Sequence, residues 1–186
     1  MDVGFHYEKA DNSKVPVPVF EQIFAEVPGG AMVANPDFDL LESTALGYDS
    51  ENKLRPIKTY KLTKPVLADD TTIQIAKVSG IAVGDVIAKG KKGVACTAVD
   101  TTSEDSDIVT VTLGVAIDNG ELLYQAEKAS ANGATPIYAP VYLLGNIVYA
   151  GKGDQMSRLI NGANIRKESC NVADEVVALM KSIEKV

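Results

Sequence analysis

Alternation of apolar and polar residues is clearest between residues 66 and 120. Residues 71–78 (TTIQIAKV) alternate with a period of two and are rich in β-branched side chains, and residues 108–113 (IVTVTL) repeat the pattern. That period is typical of a strand with one buried face. Shorter apolar runs at 83–88 and 94–99 lie next to glycines. Strands at intervals of about 8–12 residues predict a small barrel or sandwich.

The N-terminal segment, residues 1–30, predicts an extended arm followed by a short helix. Pro16 and Pro18 alternate with valines, which favours an extended backbone. Residues 20–27 carry apolar side chains at the first, fourth, fifth and eighth positions, the spacing of one helical face. A helix this short is marginal alone, so it either docks on its own domain or contacts another chain. The candidate contact residues are Val17, Val19, Phe20, Ile23 and Phe24.

The C-terminal segment, residues 169–186, predicts an amphipathic helix. Asn171 is placed to cap it, and the acidic Asp174 suits its first turn. The apolar stripe of this helix consists of Val172, Val176, Leu179 and Ile183. We expect the stripe to pack on the protein's own sheet or to contact another subunit. A brief helix is also predicted over 122–135, ended by Asn132 and Gly133.

Together these patterns predict a mainly β protein, a small barrel or sandwich, with an extended N-terminal arm and a C-terminal α-helix. We assign the arm and short helix to 1–30, the β-rich domain to 31–168 and the helix to 169–186.

Aromatic residues mark the extended stretch that begins at Pro136. Pro136 and Pro140 suit an edge strand better than a central one. Tyr138 and Tyr142 are evenly spaced, which predicts that they share one strand face. Aromatic side chains are enriched at protein interfaces, so core or subunit contact is expected. Ligand contact is the alternative, although the chain lacks tryptophan, which sugar stacking generally favours.

Charge narrows the classes of partner. The 186 residues carry a formal charge of −7 at pH 7, and 46% of them are hydrophobic, which is an ordinary globular composition. Duplex nucleic acid requires clustered basic residues, and the longest basic cluster, Lys89–Lys92, looks like a hairpin tip. An acidic membrane surface would repel the chain. We therefore expect no nucleic-acid or membrane partner, and synthesis without an export signal.

Candidate chemistry is sparse. Zinc in a structural site needs four His or Cys ligands, but the chain has only His6, Cys96 and Cys170. The two thiols are expected to be free. The acidic stretch 100–107 lacks the calcium-binding EF-hand spacing and is interpreted as a solvated loop. We expect no catalytic residue, no cofactor and no metal, and hence no enzyme, although catalysis by carboxylates alone stays open.

Five segments carry a resemblance to a known group of proteins. In this order they resemble segments of the head-decoration and head-fibre proteins of tailed phages, typically found in prophages of gut bacteria. The resemblance extends over about residues 27–186 and rests on loose glycine and alternation patterns. The segments are 47–57 (Gly-Tyr-Asp, a polar turn and Leu-Arg-Pro-Ile), 83–87 (VGDVI), 113–117 (LGVAI), 142–149 (YLLGNIVY) and 160–169 (INGANIRKES).

The resemblance implies a structural virion protein without catalytic residues. Such a protein decorates the outer surface of a phage capsid, stabilises it or attaches to the host surface. Its partners would be the phage major capsid protein and other copies of itself, as a trimer, and it would be made in the host bacterial cytoplasm. No residue-level role carries over. The alternative is an adhesive carbohydrate-binding module that uses the tyrosine-rich strand.

Overall fold

The structure, a computed structural model, describes residues 17–77 and 79–186. It is mainly β, with 42% strand and 2% helix, and it contains a curled half-barrel sheet and one short C-terminal helix. The predicted fold class is confirmed.

The described residues contain fifteen strands and one helix. They are β1 Phe20–Glu26, β2 Ala31–Val33, β3 Ala45–Tyr48, β4 Leu54–Pro56, β5 Thr59–Lys61, β6 Thr72–Ala76, β7 Val86–Lys89, β8 Lys92–Ala95, β9 Ala98–Asp100, β10 Ser106–Thr110, β11 Leu122–Ala126, β12 Pro140–Leu144, β13 Gln155–Ser157, β14 Leu159–Ile165, α1 Asp174–Val177 and β15 Ile183–Lys185.

The largest sheet has eight strands from both ends of the chain. Its order is β1-β14-β12-β3-β4-β2-β13, and β15 adds to β14. Only Arg158 separates β13 from β14, and these two strands pair antiparallel with β2 and β1 respectively. We call β1–β2 paired with β14–β13 the ribbon, and the whole sheet the half-barrel lobe. The half-barrel core consists of Val33, Leu40, Leu46, Leu54, Leu144, Val148 and Leu159.

Two smaller sheets form a lobe inserted between β4 and β12. One has the order β5-β11-β7-β8 and the other β6-β10-β9. The alternating residues Ile73 and Ile75 are fully buried, and Val109 lies opposite Ile73. The period-two pattern thus marks real strands with one buried face. We call residues 59–126 the inserted lobe.

A third cluster of buried residues, the junction core, joins the two lobes. It combines Ile57 and Leu143 of the half-barrel lobe with Tyr124 of the inserted lobe and Val176 of α1. Because burial of apolar surface is the main favourable term in such packing, the lobes form one body.

The helix predicted over residues 20–27 is wrong, because β1 occupies this segment and pairs with β14. Phe20 and Ile23 both face the junction core although they are three residues apart. A register irregularity between Phe20 and Gln22 adds one residue to β1 and restores the shared face. The helix-like spacing therefore arises from a bulged strand. Residues 1–16 of the predicted arm lie outside the described residues.

The C-terminal helix is much shorter than predicted. It spans only Asp174–Val177, and Ala173 precedes it without a side-chain cap. Asn171 instead donates its backbone N–H to Ser43 Oγ and its amide to Thr44 Oγ1. The chain then forms β15, because β12 pairs with residues 159–160 of β14 and leaves residues 163–165 free to pair. Strand backbone groups need hydrogen-bond partners, and β15 supplies them.

One further local prediction fails for the same tertiary reason. The brief helix predicted over 122–135 begins as strand β11, which is paired on both sides by β5 and β7. The apolar residues Ile57, Tyr60 and Leu62, on and next to the neighbouring strand β5, are almost completely buried.

Two matched substitutions test the C-terminal path. We expect Ile183→Ala to lower the free energy of unfolding by about 2–3 kcal/mol, because a buried side chain is truncated. Leu179 is 56% exposed whereas Ile183 is 7% exposed, so Leu179→Ala should change the free energy by less than about 0.5 kcal/mol. Urea denaturation measures both. Equal losses would support one continuous helix and contradict the observed path.

Candidate ligand-binding cleft

A polar cleft of about 550 Å³ lies where the two lobes meet. The half-barrel lobe lines it through residues 35–38, 49–51 and 55–56, and the inserted lobe through Gln125. The connecting segments contribute Lys58 and Tyr138. Ligand sites occur preferentially where two structural units meet, and this cleft combines charged, amide and aromatic side chains.

The carboxylate of Asp85 fixes one wall of the cleft. Its Oδ2 accepts hydrogen bonds from Lys58 Nζ at 2.8 Å, Tyr60 OH at 3.1 Å and the Ala82 backbone N–H at 3.0 Å. Its Oδ1 accepts one from Gln125 Nε2 at 3.1 Å. Asp85 and Lys58 are both mostly shielded from solvent. Hydrogen bonds to a charged group are stronger than neutral ones, so Lys58 and Gln125 are held in place.

A tight turn positions Asp85 just before β7. Gly84 has a φ of 94°, which favours glycine. Its backbone N–H donates to the Cys96 carbonyl, and Cys96 N–H donates to the Asp85 carbonyl. Burial raises the pKa of Tyr60, and the nearby negative charge of Asp85 raises it further. Tyr60 therefore stays protonated and remains a hydrogen-bond donor to Asp85.

The turn between β3 and β4 fixes another part of the cleft wall. Asp49 Oδ1 accepts hydrogen bonds from the backbone N–H groups of Glu51 and Lys53, both at 2.9 Å, and Oδ2 accepts one from Arg55 Nε at 3.0 Å. The Lys53 N–H bond is the main reason that the pKa of Asp49 lies below its usual value, and the Arg55 bond adds to it. The carboxylate in turn raises the pKa of Arg55. Arg55 is thus anchored at the edge of the cleft.

Tyr138 lines the cleft, whereas Tyr142 lies elsewhere. Tyr138 packs against the junction core, and Tyr142 packs against the half-barrel core. The Tyr142 ring meets the Tyr48 ring edge to face, with centroids 6.4 Å apart. A register irregularity between Pro140 and Tyr142 breaks the even spacing. The prediction that the two tyrosines share one strand face is therefore wrong.

Gly47 allows the chain around Tyr138 to lie close to β3. A Cβ at position 47 would lie 2.5 Å from both the Tyr138 Cβ and the Ala139 carbonyl oxygen. No side chain fits at that distance, so the position of Tyr138 depends on this glycine.

The five residues predicted as arm contacts fall into two groups. Val19, Phe20 and Ile23 pack against the junction core of their own chain. Val17 and Phe24 are exposed.

The cysteines and acidic residues in the described part of the chain form no candidate metal site. Residues 17–77 and 79–186 contain no group of three or more His, Cys, Asp or Glu suited to a metal ion. Cys96 and Cys170 are both free thiols, as predicted, and both are buried. Asp107, at the end of the predicted acidic loop, is buried and forms an ion pair with Lys77 at 2.7 Å.

Within the described part of the chain, no helix has the length and apolar character needed to cross a membrane.

Comparison with protein-family models, with curated proteins and with solved structures finds no match to this chain.

Sequence reasoning missed the polar residues of the cleft. The Val-Gly-Asp-Val-Ile segment around Asp85 was noticeable, but the pattern predicts only a turn that leads into a strand. Arg55 and Lys58 are close in sequence, but Lys58 lies 27 residues before Asp85 and Gln125 lies 40 residues after it, so no local spacing relates the three segments. A polar residue within an apolar run, such as Gln125, is the only available signal.

We expect Asp85→Ala to destabilise the protein by about 2–4 kcal/mol, because Lys58 and Gln125 lose a shielded charged partner. Chemical denaturation measures the change, and Asp69→Ala, on an exposed turn, is the matched control with an expected change below about 0.5 kcal/mol. Equal effects of the two substitutions would show that Asp85 has no organising role.

Acid should destabilise the folded protein through Asp49 and Asp174. The hydrogen bond from Lys185 is the main cause of the lowered pKa of Asp174, and that of Asp49 is lowered as described above. A carboxyl whose pKa is lower in the folded state stabilises the fold above its unfolded pKa of about 3.9. That stability is lost as the pH falls from there through the folded pKa.

Thermal melts between neutral pH and pH 2 measure this loss. Asp49→Asn and Asp174→Asn should each lose less stability on acidification than the parent protein does. Asp105→Asn, on the exposed 101–105 loop, should follow the parent curve. Parallel curves for all four proteins would contradict the assignment.

Proposed function

We propose that this protein is a structural virion protein that decorates the outer surface of a phage capsid. Its partners would be the major capsid protein and other copies of itself, assembled as a trimer. It would be made in the host bacterial cytoplasm and act on the capsid surface. The observation that carries this proposal is the exposed apolar surface of the ribbon.

Three large apolar side chains of the ribbon face solvent. Met32 on β2 is 48% exposed and lies directly opposite Met156 on β13, which is 63% exposed. Phe24 on β1 is 57% exposed. Between them along the ribbon, Arg158 donates from Nε to Glu26 at 2.6 Å. Aromatic residues, methionine and arginine are enriched at protein interfaces, and methionine adapts readily to an opposing surface.

Capsid decoration requires contact area rather than a reacting group. A modest affinity per copy becomes strong attachment when several subunits of an oligomer bind a repeating shell. The charge of −7 per chain would also keep decorated particles apart in solution.

The fold limits how the N-terminal segment could take part. Residues 20–26 already pair with β14 of their own chain, so another chain could receive them only if the sheet opened. Val17 and Phe24 are exposed and are the arm residues able to contact a partner from the folded state. Removing residues 1–27 would therefore unfold part of the sheet as well as remove a contact.

A charge placed on the ribbon tests the proposal. We expect the double variant Met32→Lys with Met156→Lys to bind shells at least about tenfold more weakly, because burying unpaired charges in an interface is costly. The shells would be assembled from the major capsid protein that is proposed as the partner, and co-sedimentation measures binding.

Leu67→Lys is the control, because Leu67 is 62% exposed in the inserted lobe. It should bind shells as the parent protein does. Absence of shell binding by the parent protein, or equal binding by all three proteins, would refute the assignment to the ribbon.

A further inference from the structure

We propose that the cleft between the lobes binds a neutral polyhydroxylated ligand, namely a sugar unit of a saccharide. The proposal rests on the groups that line the cleft, on their charges and on how firmly they are held. It is independent of the capsid contact, which uses the ribbon.

The cleft offers both hydrogen-bond donors and acceptors. Arg55 uses its Nε for Asp49, which leaves its terminal N–H groups for a ligand. Within the described part of the chain, the Tyr138 hydroxyl and the Asp37 carboxylate form no hydrogen bond, and both line the cleft. Gln125 donates to Asp85 through Nε2, and its amide oxygen is an acceptor.

The mixture of charges selects against ionic ligands. Asp37, Asp49 and Glu51 line the cleft together with Arg55 and Lys58. A phosphate would be repelled by the three carboxylates, and the described part of the chain contains no group of acidic side chains suited to a metal ion. A sugar hydroxyl both donates and accepts hydrogen bonds, so it can use either kind of neighbour.

Shape and apolar surface are consistent with the same ligand class. The volume of about 550 Å³ falls in the range of small-molecule sites. The ring of Tyr138 provides an apolar face with a polar tip, which suits the C–H face and hydroxyl edge of a pyranose ring.

The cleft is also organised before any ligand binds. Asp85 anchors Lys58 and Gln125, and Asp49 anchors Arg55. Side chains that are already ordered lose little conformational entropy on binding. Asp85 is therefore a positioning residue for the proposed site.

A glycan array followed by isothermal titration calorimetry tests the proposal. The probes are neutral oligosaccharides containing glucose, galactose, N-acetylglucosamine or rhamnose, with inorganic phosphate and Ca²⁺ as separate arms. We expect at least one saccharide to bind, and neither ion to bind. Tyr138→Ala should weaken that saccharide at least tenfold, and Tyr149→Ala, which removes an exposed tyrosine outside the cleft, should leave its affinity unchanged.

Fold integrity is checked by circular dichroism. If Tyr138→Ala does not fold, Tyr138→Phe and Arg55→Gln replace it, with an expected loss of at least threefold each. Saturation-transfer NMR on the parent protein should show contact between the saccharide and tyrosine ring protons.

The proposal is overturned if no saccharide binds at millimolar concentration, if phosphate or Ca²⁺ binds in the cleft instead, or if Tyr149→Ala weakens binding as much as the cleft variants do. The charged Met32 and Met156 variant should keep saccharide binding, which separates this site from the ribbon.

Discussion

Strand β14 joins three separate segments of the chain in the half-barrel lobe, because its two edges bind three other strands. One edge pairs with β1, and the other is divided between β12 and β15. The two terminal segments and β12 therefore depend on the same seven residues. An unpaired backbone group in a buried strand costs about 1–3 kcal/mol. This constraint explains why the terminal segments become strands of one sheet instead of separate helices.

Two kinds of interaction then hold the inserted lobe in place and order its strands. The junction core buries Ile57, Tyr124 and Leu143 together, and such apolar contact is strong but non-directional. Within the inserted lobe and the segment that leads into it, direction comes from Asp85, whose hydrogen bonds to Lys58, Tyr60 and Gln125 need a defined geometry. The same carboxylate that fixes the relative placement of β5, β7 and β11 therefore also shapes one wall of the cleft. Stability and the geometry of the candidate site share a single group.

The ribbon and the cleft have opposite chemistry and different neighbours. The ribbon presents exposed methionines and a phenylalanine around one ion pair, a surface suited to burial against another protein. The cleft presents charged and amide groups around one tyrosine, which suits a hydroxyl-rich ligand. A decorating protein with both would attach through the ribbon and leave the cleft for a saccharide. The two proposals use different residues, so a result that contradicts one of them does not contradict the other.

Sequence alone was sufficient for the fold class and for several strands of the inserted lobe, but not for β11, where a helix was predicted. Alternation around Ile73 and Val109 is a local property, and those strands follow it. The turn around Asp49 and the hairpin tip at Gly90 were also readable locally. The helical spacing of Phe20 and Ile23 led to a wrong prediction, because a bulge in β1 produces the same spacing in a strand. The helix predicted through Leu179 and Ile183 was wrong because the part of β14 that β12 leaves unpaired binds β15 instead. The cleft could not be predicted from the sequence either. Its residues are far apart in the chain, and only the packing of two lobes brings Arg55, Gln125 and Tyr138 to one place.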